Sequence, residues 1–193
     1  MPKQQKIIIL SSTAGGGKNT IANMLLQKDK RLKETISCTT RKPIRPGEKD
    51  CVNYYFINTD EFEKKIKNKK FIEWEKVHGL FYYGTLKDEI PKIIKKNKIP
   101  LLIIDVKGAM NIKKIFPKTL LIFIKPNSMK NIEERIRLRA KISEEEIKTR
   151  LKTAKNELKM AKYYDRIIKN PEGHPEKAAK KALKIIGKYY LQK

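Results

Sequence analysis

Between Lys6 and Thr20 the chain reads KIIILSSTAGGGKNT: four consecutive aliphatic residues, a loop of small residues with three glycines, and Lys18 at the head of a helical pattern. This order predicts a buried strand, a phosphate cradle and a helix start. Small residues let successive backbone N–H groups turn inward on a polyphosphate, and the helix N-terminus behind them adds dipole attraction for the anion. Ser12, Thr13, Ala14, Gly15, Gly16, Gly17, Lys18, Asn19 and Thr20 are therefore the candidate ATP-binding residues, with Lys18 reaching the β- and γ-phosphates. The strict pattern G-x-x-x-x-G-K-[ST] is missed twice, with Ser12 in place of the first glycine and Asn19 in place of the hydroxyl residue. Ser12 is small enough to serve, and a Mg²⁺ ion that loses the hydroxyl can still be held by phosphate oxygens and water. An ordinary glycine-rich turn is the plain alternative. Lys18 directly after Gly17, between a strand and a helix, argues against it.

With 193 residues, 39% of them hydrophobic, the chain can bury one good core and reads as a single domain with embedded lobes. The apolar run after the N-terminal MPKQQK is too short for a signal peptide or a membrane span, so the expectation is a soluble, cytoplasmic protein. Cys38, Cys51, His78 and His174 show no metal-type spacing, which predicts reduced, non-catalytic thiols and no structural zinc. The net charge of +25 invites a nucleic-acid reading. However, 38 of the 46 basic residues are Lys, spread over every helical pattern, and no basic-aromatic module accompanies them. Runs such as Lys64 to Lys70 and Lys92 to Lys98 thus read as solvated surface, with no specific nucleic-acid partner.

Apolar runs at 7–10, 101–104 and 119–124 suit strands of a parallel sheet buried on both faces by crossover helices. Between them, Thr35 to Thr39, Asn53 to Ile57 and Lys70 to His78 read as strands, with a short helix from Asp60 to Ile66 and glycines 79 and 84 bracketing Phe81 to Tyr83. The stretch from 37 to about 90 is therefore a β-rich lobe inserted in an α/β core. Residues 128–158 are helical with a break near 140–142, where Ser143 and Glu146 restart the helix as a capping box. Ile147, Leu151, Ala154, Leu158 and Ala161 form its apolar stripe. A last strand, Arg166 to Asn170, precedes a closing helix from Pro175.

Within the lobe the residues become specific. Ser37-Cys-Thr-Thr-Arg41, Arg45-Pro-Gly-Glu48, Tyr54-Tyr-Phe56, Phe71-Ile-Glu73-Trp74, Val77-His-Gly79, Tyr82-Tyr-Gly84-Thr85 and Ile104-Asp105-Val-Lys-Gly108 follow one another at fitting spacing. In this the chain resembles the guanylate kinase family, nucleoside monophosphate kinases of the P-loop fold, from residue 6 to about 170. The resemblance implies a P-loop NTPase-type α/β sheet with a core (1–36, 91–126 and 152–193), a GMP-binding lobe (37–90) and a helical lid (127–151). It implies transfer of the γ-phosphoryl group of ATP to GMP, with Mg²⁺ accompanying ATP. Arg41, Arg45, Tyr54 and Tyr83 would bind the GMP phosphate, Ser37, Glu73, Thr85 and Asp105 would surround the guanine, and Asn170 would lie near the adenine. Lys18, Arg41 and the lid arginines Arg135, Arg139 and Arg150 would be catalytic, and no protein side chain is implied as a direct metal ligand.

The residue types suit those roles. Guanidinium forks match phosphate oxygens, and a single carboxylate can accept the adjacent N1–H and N2–H₂ donors of guanine. On an isolated strand, Glu73 would read as a solvated carboxylate. Arg135 and Arg139 share a helix face at i and i+4, and Arg135 has only Asn131 one turn back, which predicts a site awaiting phosphate. Several positions depart from the family pattern: Ile44 lengthens the spacing between Arg41 and Arg45, Ile103 replaces an acid, and Arg139-Ala140-Lys141 lacks a glycine. A ribose bisphosphate kinase, a non-catalytic binding module and a nucleic-acid-binding NTPase are the alternative readings. Oligomeric state is open, monomer or homodimer.

Overall fold

A computed structural model describes residues 6–42, 47–77, 79–139 and 143–191, with Arg139 described in its backbone only. A five-stranded sheet, entirely parallel, runs in the order β2 (Leu32–Glu34), β7 (Ile99–Ile103), β1 (Ile8–Ser12), β8 (Leu120–Pro126), β9 (Arg166–Asn170). Its central strands carry continuous apolar runs, Ile8 to Leu10, Leu101 to Ile103 and Leu120 to Ile124, because helices cover both faces. Ile8 and Leu10 point to one side, where α1 (Lys18–Lys28) supplies Ile21 and Leu25 and α7 (Pro175–Leu191) supplies Ala178, Ala182 and Ile186. Ile7 and Ile9 point to the other, against Ile90 of α3 (Glu89–Ile94) and Ala109 and Ile112 of α4 (Val106–Ile115). The period-2 alternation of a strand thus divides one apolar run between two cores.

After β1 the chain adds β2 and β7 on one side, then β8 and β9 on the other. In open α/β sheets the crevice at such a reversal, beyond the carboxyl ends of the strands, is where ligands bind. The small-residue loop leaves β1 at this point.

The second sheet has the order β4 (Tyr54–Phe56), β3 (Ser37–Thr39), β6 (Phe81–Leu86), β5 (Phe71–Val77). One face is closed by α2 (Thr59–Lys67), whose Phe62 stacks on Phe71 and Tyr82 at ring-centroid distances of 4.3 and 5.1 Å. Gly84 does not bracket a strand, as the sequence suggested, but lies inside β6. A Cβ there would sit 2.9 Å from Trp74 Cβ and 3.0 Å from Glu73 O, so glycine permits the close pairing of β5 with β6.

The helical region divides into α5 (Met129–Arg139) and α6 (Glu144–Met160), as expected, and Ser143 caps α6 by accepting the Glu146 N–H at 3.2 Å. The box is one-sided, since the Glu146 carboxylate pairs with Arg150 instead. The residues of the expected break, 140–142, lie outside the described residues. Two elements escaped the sequence: β2, three residues long with only Leu32 fully buried, and α3, inside a stretch that read as part of a solvated lysine run although Ile90 and Ile93 are core.

Candidate active site

The donor half begins where β1 ends. Ser12 stays buried because its hydroxyl donates to Ile124 O of the neighbouring strand at 2.6 Å. A Cβ on Gly16 would lie 1.7 Å from that hydroxyl, so the serine in the first-glycine position is accommodated by the glycine four residues on. Gly15 (φ 73°) and Gly17 (φ 88°) hold left-handed conformations that turn the chain into α1. No side chain caps α1 and its first turn holds no acid, which keeps its N-terminal amides open to an anion. Asn170, at the end of β9, donates from Nδ2 to Gly16 O at 3.1 Å. Together with Gly15, Thr20, Arg135 and Pro171 it lines a cleft of about 250 Å³.

The helical region grips this loop from behind. Arg135 of α5 donates to Gly15 O at 3.1 Å and to both carboxylate oxygens of Glu172 at 2.9 Å. The face of Arg135 that looked empty in sequence is therefore filled by a residue from the loop after β9. Glu157 of α6 accepts the Ala14 N–H at 3.3 Å. Burial pushes its carboxyl up to about 7, while Lys18 and the Ala14 amide pull it down and Asp105 adds to the rise. Arg150 donates to Glu146 at 2.5 Å. Arg139 ends α5, with its side chain outside the described residues.

The acceptor half lies on the face of the second sheet opposite α2. Register sets it: Ser37 lies opposite both Tyr54 and Thr85, Thr85 opposite Glu73, and Tyr83 two residues before Thr85, so the period of two brings all five to one face. Glu73 is only 7% exposed. Its Oε1 accepts the Thr85 N–H at 3.0 Å and the Thr85 hydroxyl at 2.6 Å. The Thr85 proton is thereby committed, and Ser37 Oγ, 3.4 Å away, is the donor of that pair. Burial pushes the Glu73 carboxyl up to about 7; the Thr85 bonds oppose the rise, and the charge of Asp105 adds to it. Asp105 is the N-cap of α4, accepting the Gly108 N–H at 2.7 Å. A Cβ on Gly108 would come within 2.7 Å of Glu73 Oε2. A carboxylate from the second sheet and one from the cap of α4 thus meet over one glycine.

At the other end of this face lies Arg41, 5% exposed. Its Nη2 donates to both Glu48 oxygens at 2.8 and 2.9 Å, and its Nε to the Tyr83 hydroxyl at 3.0 Å. Burial works against its charge, but Glu48 and Tyr83 more than offset it and raise its pKa. The guanidinium carbon lies 5.6 Å from the Tyr54 ring, and Tyr54 meets Tyr83 edge-on at 6.0 Å. Because Tyr83 accepts from Arg41, its own proton is available to a ligand. Arg45 lies outside the described residues.

A sequence model described as "Guanylate kinase" matches residues 4–188. The chain belongs to the guanylate kinase family. It is 40% identical over 184 residues to "Guanylate kinase" of Caldanaerobacter subterraneus subsp. tengcongensis, covering 95% of this chain and 87% of the relative. It is 45% identical over 166 residues to that of Chlorobium chlorochromatii, covering 86% of each. Among solved structures, guanylate kinase from Anaplasma phagocytophilum superposes with a TM-score of 0.79 at 28% identity, covering 100% of this chain and 89% of that one.

Three carboxylates in this guanylate kinase fold had no role in the sequence reading: Glu48, Glu157 and Glu172. Glu48 was part of a recognised motif. Glu157 carried a usable signal, lying three residues after Ala154 and four before Ala161, which puts a charge on the buried face of α6. Glu172 had none, since its partner Arg135 is 37 residues away.

Proposed function

We infer that the chain transfers the γ-phosphoryl group of ATP to GMP, giving ADP and GDP, by direct in-line displacement without a covalent enzyme intermediate. The observation that carries the reading is the Glu73 carboxylate, buried and half satisfied by Thr85, on the same sheet face as Arg41, Tyr54 and Tyr83. A base-reading carboxylate and a phosphate-reading guanidinium at opposite ends of one face suit a purine monophosphate. A bare sugar phosphate would leave Glu73 Oε2 buried with no ligand donor to accept from.

On this reading Glu73 Oε2 and Ser37 take the guanine edge, and Asp105 borders it. Arg41 and the hydroxyls of Tyr54 and Tyr83 bind the acceptor phosphate, with Arg45 beside them. Lys18, the loop amides and the N-terminus of α1 hold the donor phosphates, with the adenine near Asn170. Arg135, Arg139 and Arg150 neutralise charge on the transferring group once Arg135 exchanges Glu172 for phosphate. The core (1–36, 91–126, 152–193), lobe (37–90) and lid (127–151) are proposed as the moving parts, closing to exclude water that would hydrolyse ATP. Among the described residues no three acidic, histidine or cysteine side chains converge on a metal position. Phosphate oxygens and water are the remaining hard donors, and these fit Mg²⁺, with Asn19 following Lys18 at the head of α1. Bound with ATP, Mg²⁺ supplies charge neutralisation on the β- and γ-phosphates. No helix among the described residues is long and apolar enough to cross a membrane. A cytoplasmic location is part of the same proposal.

The test is ADP release with ATP, Mg²⁺ and, separately, GMP, AMP, dTMP or buffer. Turnover with GMP alone is expected. Equal turnover with AMP, or ATP hydrolysis in buffer at the same rate, would overturn the reading.

A further inference from the structure

Glu157 is a partly buried carboxylate that the substrate contacts proposed above do not use. Ionised, it offers about four acceptor positions. Its one described hydrogen bond comes from the Ala14 amide. Stability alone gives little reason to draw such a group partly out of water, because its desolvation is poorly compensated. Its surroundings give a functional one. Lys18 at the head of α1, Asp105 at the head of α4 and Tyr164, which follows the 3-10 turn Ala161–Tyr163, are the titratable groups near enough to act on its charge. Of these only Lys18 is cationic.

We propose that Glu157 is a positioning residue for phosphoryl transfer: by accepting the Ala14 N–H and attracting the Lys18 ammonium, it presets the loop and the lysine for the donor phosphates. The inference rests on the ATP:GMP reading above. Three features of the fold make the arrangement effective. The Ala14 methyl is packed against the apolar cluster of Ile132, Ile136, Ile147 and Ala154 between α5 and α6, so the loop is already seated on the helix that carries Glu157. Lysine has a long flexible stem, and a carboxylate on one side of it narrows the directions in which the ammonium can point. Finally, Glu157 lies seven residues after Arg150 on the same helix, two turns along and on one face. One helix therefore carries both a proposed phosphate-binding arginine and the contact to the donor loop, two turns apart on one face. Glu157 itself does not touch ATP, since a carboxylate against the polyphosphate would repel it.

Glu157→Gln keeps an oxygen for the Ala14 N–H and removes the charge that attracts Lys18. Steady-state transfer to GMP, calorimetric GMP binding without ATP, and thermal unfolding are measured on variant and wild type. The expected result is a kcat lower by roughly ten- to hundredfold, an unchanged GMP Kd, and a Tm no lower than wild type. A merely structural residue would instead lose Tm and keep kcat per folded molecule. A kcat within twofold of wild type, or a loss matched by a fall in Tm, overturns the proposal. Should the variant not fold, the wild-type Ala14 amide resonance decides: it should move between pH 5.5 and 8.5 as the carboxylate it donates to titrates, and no movement overturns the proposal. A wild-type chain inactive with GMP would remove the functional reading instead, and the Ala14 titration would still decide the placement of Glu157.

Discussion

Glu73 and Thr85 are joined by two hydrogen bonds to one oxygen, the Thr85 N–H at 3.0 Å and its hydroxyl at 2.6 Å both ending on Glu73 Oε1. The second oxygen is left beside Gly108, near Asp105. A carboxylate held this way cannot rotate to suit different ligands. It offers one acceptor edge in one direction, which suits a base with adjacent N–H donors.

Burial pushes Glu73 up to about 7, so at neutral pH only about half of the ligand-free protein carries the carboxylate proposed to accept from guanine. The KM for GMP should therefore fall about tenfold from pH 6 to pH 8. Glu73→Gln turns an acceptor into a donor facing donors, at a buried site where an unpaired polar group costs about 1–3 kcal/mol. Its GMP KM should be higher by roughly one to two orders of magnitude, its preference for GMP over AMP smaller, and its pH dependence reduced to that of GMP itself. Steady-state kinetics of both proteins across this range is the measurement. A wild-type profile parallel to that of the variant would show that Glu73 does not read the base.

The same raised pKa has the opposite consequence for stability. The folded state holds the Glu73 proton more tightly than the unfolded chain, so its favourable contribution is complete below about 4.5 and is lost as pH rises through about 7. Above that, ligand-free protein retains a buried charge that the Thr85 bonds only partly offset, costing about 3 kcal/mol. Glu73→Gln, whose amide oxygen can still accept from Thr85, should melt several degrees above wild type at pH 8 and no higher than wild type at pH 4.5. Thermal unfolding by circular dichroism at the two values checks this. The variant is thus expected to gain stability as it loses GMP.

Gly108 lies in the first turn of α4, where alanine would ordinarily favour the helix by about 1 kcal/mol. The added methyl would instead meet Glu73 Oε2, 2.7 Å from the new Cβ, and Thr85 restrains the carboxylate from yielding. Gly108→Ala should raise the GMP KM by about tenfold or more and leave ATP affinity near wild type. Equal effects on both nucleotides would mean that the glycine serves the helix and not the acceptor pocket.

Lys18 opens α1 beside the loop amides and belongs to none of the apolar clusters. Lys18→Ala should reduce kcat by at least about two orders of magnitude with a Tm within a few degrees of wild type. Undiminished turnover in a folded variant would exclude the loop as the donor site.

Local order was legible in the chain because it is enforced locally. Ile7 to Leu10 is too apolar to lie anywhere but a sheet covered on both faces, three glycines before Lys18 favour a tight turn into a helix, and Ser143 before a helical stripe caps it. The faces of Glu73 and Thr85, by contrast, were set by the pairing of β5 with β6 and the bulge between Phe71 and Glu73. What the linear pattern could not carry were the pairings across the fold. Glu157 reaches Ala14 over 143 residues, Arg135 finds Glu172 rather than an empty face, and Glu73 shares Gly108 with Asp105. Each depends on how two sheets and the helices around them dock. A carboxylate reads the same in sequence whether water or protein surrounds it, and its protonation, partner and reach are decided only when packing removes the water.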